Sequence, residues 1–351
     1  MGSGSFSLDG LALPIVQAPM AGGPSTPALA VAVSAAGGLG TLAAGYRPVD
    51  AVEEDIATVR GRTNAPFGVN LFCPPGPAGN RDALARYAER LEPEARRLGA
   101  AVGEPRHDDD GWADKLALMT SARVPVVSFT FGCPRAEEVD ALHASGAAVW
   151  VTITTPAEAT RAAEVGADAL VAQGVEAGGH RGSFDDARPG DLGLLALLQL
   201  VLAAVDLPVV ATGGLVTGRA VAAVLAAGAR AAQLGTALMR TPEAATSTAQ
   251  RAALAGGAPT ALTRAFTGRT ARGIVNRFMA EHDAAAPAAY PDVNHLTSPL
   301  RAAARARHDA DAINLWAGQS YPLAPEEPAA EVVRRVAAEA RAALREAAAR
   351  A

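Results

Sequence analysis

The stretch from Val124 to Gln173 reads VPVVSFTFGCPRAEEVDALHASGAAVWVTITTPAEATRAAEVGADALVAQ. It contains three short apolar runs: Val124–Phe131, Ala147–Thr154 and Ala167–Gln173. These runs are apolar at nearly every position, which is typical of parallel strands covered on both faces. Gly146 and Gly166 each end the helix-like segment before a run, because glycine accepts the left-handed conformation that stops a helix. The stretch therefore predicts three strands joined by two helices.

The same unit repeats before and after this stretch. Five further runs of this kind are Ile15–Met20, Gly38–Ala43, Phe67–Phe72, Pro208–Thr212 and Ala231–Leu238. Prolines, which interrupt a preceding helix, stand at the start of four of the eight runs: Pro14, Pro66, Pro125 and Pro208. Eight strand–helix units predict an α/β fold, a (β/α)8 TIM barrel rather than a doubly wound sheet.

Two segments are longer than the repeat requires. Residues 73–123 predict an insertion after strand three, and residues 241–351 predict a C-terminal helical extension that ends in a charged helix over Glu331–Ala351. The predicted barrel then consists of residues 1–72 and 124–240. We expect the two additions to cap the barrel or to pack beside it.

The composition excludes several classes of protein. The 351-residue chain is 50% hydrophobic, which is enough for a packed core and excludes wholesale disorder. Its net charge of −5 indicates no nucleic-acid partner. The two cysteines, Cys73 and Cys133, argue against a disulfide-stapled domain, and we expect both thiols to be inert.

The sequence has one lysine, Lys115, among its 31 basic residues. Schiff-base chemistry and lysine-dependent phosphate binding therefore have a single candidate. The surrounding residues Trp112–Leu116 predict a helix surface, on which we expect Lys115 to be solvated.

The longest apolar run, Leu192–Val205, falls short of the roughly 20 residues that a membrane span requires. The N-terminus has no basic region followed by an apolar core, so no signal peptide is predicted. We expect a cytoplasmic protein without a membrane partner. Monomer and homodimer both stay open.

Glycines and polar residues cluster directly after the predicted strands, where a barrel of this type carries its active site. The clusters are Gln17–Pro24, Asn70–Pro74, Gln173–Gly182, Ala211–Leu215 and Gln233–Thr236. Backbone N–H groups in the last two clusters are suited to binding a phosphate, with simple tight turns as the alternative.

His180 lies between the glycines of Gly178–Gly182, which predicts an exposed imidazole in a flexible loop over the barrel mouth. Such a histidine is placed to handle a proton or an anion, and a structural or solvated role is the alternative. Arg181 beside it is expected to help to supply a donor-rich pocket. No pair of histidines has the spacing of metal ligands, so no metal site is expected.

Together these segments resemble the nitronate monooxygenases, in particular the class I branch. The motifs that carry the resemblance are Gln17–Gly23, Phe67–Asn70, Val127–Phe129, Gln173–Gly182, Ala211–Gly214, Gln233–Thr236 and Leu315–Gln319. The match runs from Leu13 to Leu323, and the segment around His180 is its most specific part. Cys133 and Tyr321 depart from the family pattern, which leaves the particular nitronate open.

The resemblance implies a barrel that binds FMN and oxidises alkyl nitronates with O2 to a carbonyl compound and nitrite. It implies that His180 is catalytic, either as the base towards a neutral nitroalkane or as the polar partner of the nitronate. Asn70, Gln173 and Gly178 are the implied contacts of the flavin ring or ribityl chain. The implied phosphate site consists of Gly214, Gln233, Leu234, Gly235 and Thr236. The other implied cofactor contacts are Ala18, Met20, Gly179 and Gly213.

Two other readings stay open from the sequence. Flavin-dependent enoyl-acyl-carrier reductases and NAD(P)H:quinone reductases share this barrel and much of its glycine pattern. A protein that stores flavin without turning it over is the alternative from another class.

Overall fold

The computed structural model describes residues 6–76 and 79–350, so Pro77 and Ala78 of the predicted insertion lie outside the described residues. Its strands are β1 Ile15–Gln17, β2 Gly40–Ala43, β3 Phe67–Phe72, β4 Val126–Thr130, β5 Ala148–Ile153, β6 Ala169–Gln173, β7 Gly179–His180, β8 Val209–Thr212, β9 Ala231–Leu234, β10 Thr260–Thr263 and β11 Ala271–Ile274. Each of the eight predicted runs contains one strand of the large sheet.

The large sheet is parallel and has the order β1-β9-β8-β6-β5-β4-β3-β2. Its two edge strands also meet, because Gln17 N–H donates to the Leu39 carbonyl and Leu39 N–H donates to the Ile15 carbonyl, both at 2.9 Å. These two hydrogen bonds close the sheet into a barrel. The predicted (β/α)8 TIM barrel is confirmed.

Two strands end earlier than the apolar pattern predicts. β1 ends at Gln17 rather than Met20, and β9 ends at Leu234 rather than Leu238. In the second case the chain turns at Gly235 and forms a short 3-10 helix over Thr236–Leu238. Apolar residues continue past the strand because this turn also packs against the core, where Leu238 is fully buried.

The helices are α1 Pro27–Ala35, α2 Val49–Arg60, α3 Arg81–Leu98, α4 Trp112–Ser121, α5 Ala136–Ser145, α6 Pro156–Glu164, α7 Leu194–Ala204, α8 Gly218–Ala226, α9 Thr248–Leu254, α10 Arg277–His282, α11 Asp292–Ala306 and α12 Ala329–Ala348. Gly146 and Gly166, after α5 and α6, both have φ +92°, which confirms these two predicted helix stops. Among the described residues, no helix combines the length and the apolar character that a membrane span needs.

Both additions contribute one helix to the ring around the barrel. In residues 73–123, α4 packs against α2, α5 and β3, as the helix after β3 should. In residues 241–351, α12 packs against α8 and α1 and completes the ring. Its buried residues Val332, Val333 and Val336 join the main core. The chain thus leaves the barrel after β9 and returns to it about 90 residues later.

The other parts of the two additions pack on each other. Helix α3 lies against α11, and Tyr87 of α3 donates a hydrogen bond of 2.6 Å to the Ala265 carbonyl. Tyr87, Phe266, Phe278 and Leu300 belong to one apolar cluster that is separate from the barrel core. This second body also contains β10 and β11, which pair with β7 in a small antiparallel sheet.

Candidate active site

The carboxyl ends of the barrel strands and the second body enclose a cavity of about 760 Å³. This volume lies within the range of small-molecule and cofactor sites. His180 lines the cavity together with eleven of the twelve residues predicted to contact a cofactor: Ala18, Met20, Asn70, Gln173, Gly178, Gly179, Gly213, Gly214, Gln233, Gly235 and Thr236.

Leu234 is the predicted contact that lies elsewhere. Its side chain is fully buried in the core between the barrel and its helices, and its carbonyl accepts the Ala18 N–H at 2.8 Å. Successive residues of a strand point to opposite sides, so Gln233 lines the cavity and Leu234 points away from it.

One end of the cavity presents free backbone donors. Within the described chain, the N–H groups of Gly214, Gly235 and Thr236 have no protein acceptor. Gly214 has φ +67°, and a Cβ there would lie 3.1 Å from the Cβ of Glu176. These free N–H groups form a cradle of the kind that can bind a phosphate.

The segment Leu315–Gln319 forms one wall beside this cradle. Gly318 N–H donates to the Thr236 hydroxyl at 3.0 Å, and Gln319 N–H donates to the Glu176 carbonyl at 3.0 Å. A side chain at Gly178 would collide with the backbone of Ala317. The glycine at position 178 is thus required by a segment that lies about 140 residues further along the chain.

Asn70 and Gln173 lie at the strand ends, but most of their polar atoms already have partners. Asn70 Nδ2 donates to the Ser128 carbonyl and hydroxyl at 3.1 and 3.0 Å. Gln173 Nε2 donates to the His180 carbonyl at 3.0 Å, and its Oε1 accepts the Gly182 N–H at 2.8 Å. The Gln173 amide therefore holds the connection between β6 and β7 in place.

His180 lies in β7, where it pairs with Ala271 of β11, and is not in a flexible loop. It is half-buried among three aromatic rings, with ring-centroid distances of 5.7 Å to Phe131, 6.0 Å to Tyr290 and 5.5 Å to Trp316. The prediction of an exposed, loosely packed imidazole is therefore wrong. The reason is that the glycines around His180 make room for the second body.

Burial lowers the pKa of His180 to about 3, and the positive charges of Arg269 and Arg301 lower it further. The imidazole is therefore neutral at neutral pH. A neutral imidazole accepts a proton, although the imidazolium that results is disfavoured beside two guanidinium groups.

Arg181 does not supply the donor-rich pocket that the sequence predicts. Its side chain is completely buried, and Nη1 donates to the Gly174 carbonyl at 2.7 Å and to Gln173 Oε1 at 3.0 Å. These bonds stabilise the connection between β6 and β7, and Arg181 is not among the residues that line the cavity. Arg181 is thus structural.

Arg301 of α11 supplies positive charge that the sequence analysis missed. Its side chain is 7% exposed and lines the cavity. Its guanidinium donates to neutral partners, including Thr297 Oγ1 at 3.0 Å and Asn294 Oδ1 at 2.7 Å, and no carboxylate of the described residues pairs with it. Burial lowers its pKa to about 10, so it remains a cation at neutral pH. No local motif around Arg301 distinguishes it from the other arginines of the chain.

Burial raises the pKa of both thiols, that of Cys133 to about 12. Both cysteines are free and remain protonated at neutral pH, which supports the expectation that they are inert.

Away from the cavity, Glu94, Glu281 and His282 have the proximity of a metal-binding group. Arg277 forms ion pairs with both carboxylates, at 2.7 Å to Glu94 and 2.6 Å to Glu281. Its guanidinium already occupies the position that a cation would take between these carboxylates, so the cluster gives no support to a metal site.

Lys115 is buried rather than solvated, so the prediction of a helix-surface lysine is wrong. Its side chain is 3% exposed, and Nζ donates to the Ala44 carbonyl at 2.9 Å and pairs with Asp110 Oδ2 at 2.7 Å. Asp110 also accepts the N–H of Tyr46, a cavity residue with φ +66°. Lys115 thereby ties the loop after β2 to the insertion.

The chain is similar to known proteins in both sequence and structure. Residues 7–339 match the family model for nitronate monooxygenase. A nitronate monooxygenase of Pseudomonas aeruginosa is 45% identical over 348 residues, covering 95% of this chain and 97% of the relative. A nitroalkane oxidase from Streptomyces ansochromogenes has a structure with TM-score 0.93 and 50% identity, covering 97% of this chain and 99% of that one. FabK from Thermotoga maritima, with TM-score 0.77 and 24% identity over 98% of this chain and 97% of its own, shares the fold.

Lys115→Met tests the role of the buried lysine. Methionine has a similar length but no proton to donate, so the Ala44 carbonyl keeps only the Arg47 N–H at 3.2 Å, and Asp110 keeps the Tyr46 N–H but loses its buried cationic partner. We expect the free energy of unfolding in denaturant to fall by about 2–3 kcal/mol. Arg335→Met, which removes a half-exposed partner of Glu327 and Glu339, should cost less than about 1 kcal/mol. Equal losses in the two variants would contradict the assignment.

Proposed function

Because this chain belongs to the nitronate monooxygenase family, a family of oxidoreductases, we propose that it oxidises alkyl nitronates with FMN and dioxygen, giving a carbonyl compound and nitrite. The supporting observation is that one end of the cavity suits the phosphate of the cofactor and the other end suits an anionic substrate. Unpaired backbone N–H groups at Gly214, Gly235 and Thr236 suit a phosphate. His180 lies in the same cavity, where the buried cation Arg301 suits a small organic anion.

The residues of the cavity fit FMN without a lysine. Lys115 is engaged with Ala44 and Asp110, so the N–H cradle and the Thr236 hydroxyl are the groups that would hold the phosphate. Gln233, whose amide has no hydrogen-bond partner in the described part of the chain, and Asn70 would contact the remainder of the cofactor. When bound, FMN supplies the redox centre that takes electrons from the nitronate and transfers them to oxygen.

The protein binds and orients the substrate at the other end. A nitronate is an anion, and Arg269 and Arg301 place two buried positive charges close enough to His180 to depress its pKa. Such charges act strongly where water is excluded, and Phe131, Tyr290 and Trp316 exclude it around the imidazole. Arg269 lies 4.0 Å above the ring of Phe131, which fixes both side chains.

The direct test is oxygen consumption by the purified yellow protein with a panel of alkyl nitronates, together with chemical identification of the released flavin. We expect FMN, and we expect oxygen uptake accompanied by nitrite. Rapid anaerobic bleaching by NADH without nitronate turnover would favour the reductase instead. Yellow protein that is inert towards every donor would favour flavin storage.

Gly214→Val tests the phosphate cradle. Valine at φ +67° strains the loop, and its side chain crowds Glu176 beside the free N–H groups. We expect largely cofactor-free protein, measured as the ratio of flavin to protein absorbance. Gly146→Val is the matched control, because Gly146 has φ +92° but no atom within 4 Å of an added Cβ. Full flavin occupancy in Gly214→Val would refute the cradle.

His180→Asn separates proton transfer from binding. Removing a general base typically costs about 10²–10⁴-fold, whereas one polar contact is worth less than about tenfold. We expect the variant to lose the oxidation of neutral nitroalkanes and to retain most of its activity on preformed nitronates, which have already lost the α-proton. Oxygen uptake with each substrate measures the difference, and the flavin spectrum must match that of the parent. Equal losses with both substrates would assign His180 to binding alone.

A further inference from the structure

The hydroxyl group of Thr267 is buried and makes three polar contacts. Its Oγ1 lies 2.9 Å from Nε2 of His180, 3.2 Å from the Arg269 carbonyl and 3.4 Å from the Arg269 N–H. Thr267 is 2% exposed, so water does not compete for these contacts. A hydroxyl group has one proton to donate and two lone pairs to accept with.

The direction of each hydrogen bond follows from this inventory. The Arg269 carbonyl can only accept, and among the described residues Thr267 is its hydrogen-bond donor. Leaving a buried carbonyl without a donor is costly, so the proton of Thr267 points to Arg269. Oγ1 must then accept from His180, and the proton of the neutral imidazole lies on Nε2.

The other ring nitrogen of His180 is free. Nδ1 has no hydrogen-bond partner among the residues that the structure describes, and His180 lines the cavity. Nδ1 is therefore the ring nitrogen that remains available to a substrate, and it carries a lone pair rather than a proton.

The loop that carries Thr267 is held firmly, so the contact with His180 is not accidental. The Arg181 N–H donates to the Thr270 carbonyl at 2.8 Å, and the Ala289 N–H donates to the Gly268 carbonyl at 3.0 Å. A side chain at Gly268 would lie 2.5 Å from the Ala289 carbonyl, so the loop packs directly against the backbone there.

We propose that Thr267 is a positioning residue that holds His180 in the Nε2–H tautomer, so that Nδ1 takes the α-proton of a neutral nitroalkane. The Cα–H bond breaks, the Nδ1–H bond forms, and the electron pair of the C–H bond stays on the substrate as the nitronate. His180 becomes an imidazolium whose Nε2–H still donates to Thr267. This inference rests on the proposed function.

The same tautomer is poorly suited to a nitronate that arrives from solution. A lone pair on Nδ1 faces the anion and cannot donate to its oxygen atoms, so the neighbouring cations supply the attraction. Loss of Thr267 would free the ring to place its proton on Nδ1, where it can donate to the nitronate. The two substrates should therefore respond to Thr267 in opposite ways.

The first test is independent of activity. The holoenzyme is labelled with ¹⁵N-histidine, and long-range ¹H–¹⁵N spectra at neutral pH identify the protonated nitrogen of each ring. His180→Asn assigns the signal among the six histidines. We expect a single Nε2–H tautomer for His180 in the parent and in Thr267→Ser, and an Nδ1–H population in Thr267→Val. A parent in the Nδ1–H form would overturn the proposal, whether or not the enzyme oxidises nitronates.

The second test compares kcat/KM for a neutral nitroalkane and for its preformed nitronate. Thr267→Val should lower the value for the nitroalkane about fivefold to tenfold and leave that for the nitronate unchanged or raised. Thr267→Ser, which keeps the hydroxyl group, should restore the nitroalkane value. Equal losses with both substrates, or failure of the serine variant to restore activity, would overturn the tautomer role and leave a structural one.

Discussion

The pairing of β7 with β11 is the contact on which the site depends. β7 is two residues long and follows barrel strand β6, whereas β11 belongs to the second body. Through this pairing Gly179 and His180 become part of a sheet whose other strands lie about 80–90 residues later. Without it, the glycine-rich segment around His180 would be the loose loop that its composition predicts. With it, the imidazole has a defined position between Phe131, Tyr290 and Trp316.

Buried charge gives this cavity its chemical character. Arg301 and Arg269 are less than 10% exposed, and their hydrogen-bond acceptors are carbonyl, amide and hydroxyl oxygens rather than carboxylates. An unpaired buried cation is costly in the empty protein, and that cost is offset when an anion binds. Burial lowers the pKa of His180, and the same two charges lower it further, so the imidazole is neutral. In the proposed function, one arrangement would thus both attract an anionic substrate and leave His180 unprotonated, in the form that a base requires.

The single lysine joins the loop after β2 to the insertion. Lys115 lies between the Ala44 carbonyl and Asp110, in a space that is 97% shielded from solvent. The compact ammonium group of Lys115 contacts both acceptors in this space. The guanidinium of arginine is planar and has five donors, so arginine is not an equivalent replacement there. Lys115 thereby holds the loop that contains Tyr46 in place. The left-handed backbone of Tyr46 is uncommon for a residue with a large side chain. This loop borders the cavity at the end that faces His180.

The sequence by itself determined the barrel, the helix stops at Gly146 and Gly166, and the turns that carry Gly214 and Thr236 at the cavity. These features depend on neighbouring residues, because periodicity, helix capping and turn conformation are local. Only the tertiary structure decided the burial of Lys115, the inward charge of Arg301 and the contact of Thr267 with His180. Each of these depends on which distant segments meet when the barrel closes and the second body docks, and the chain around each residue carries no signal of that meeting.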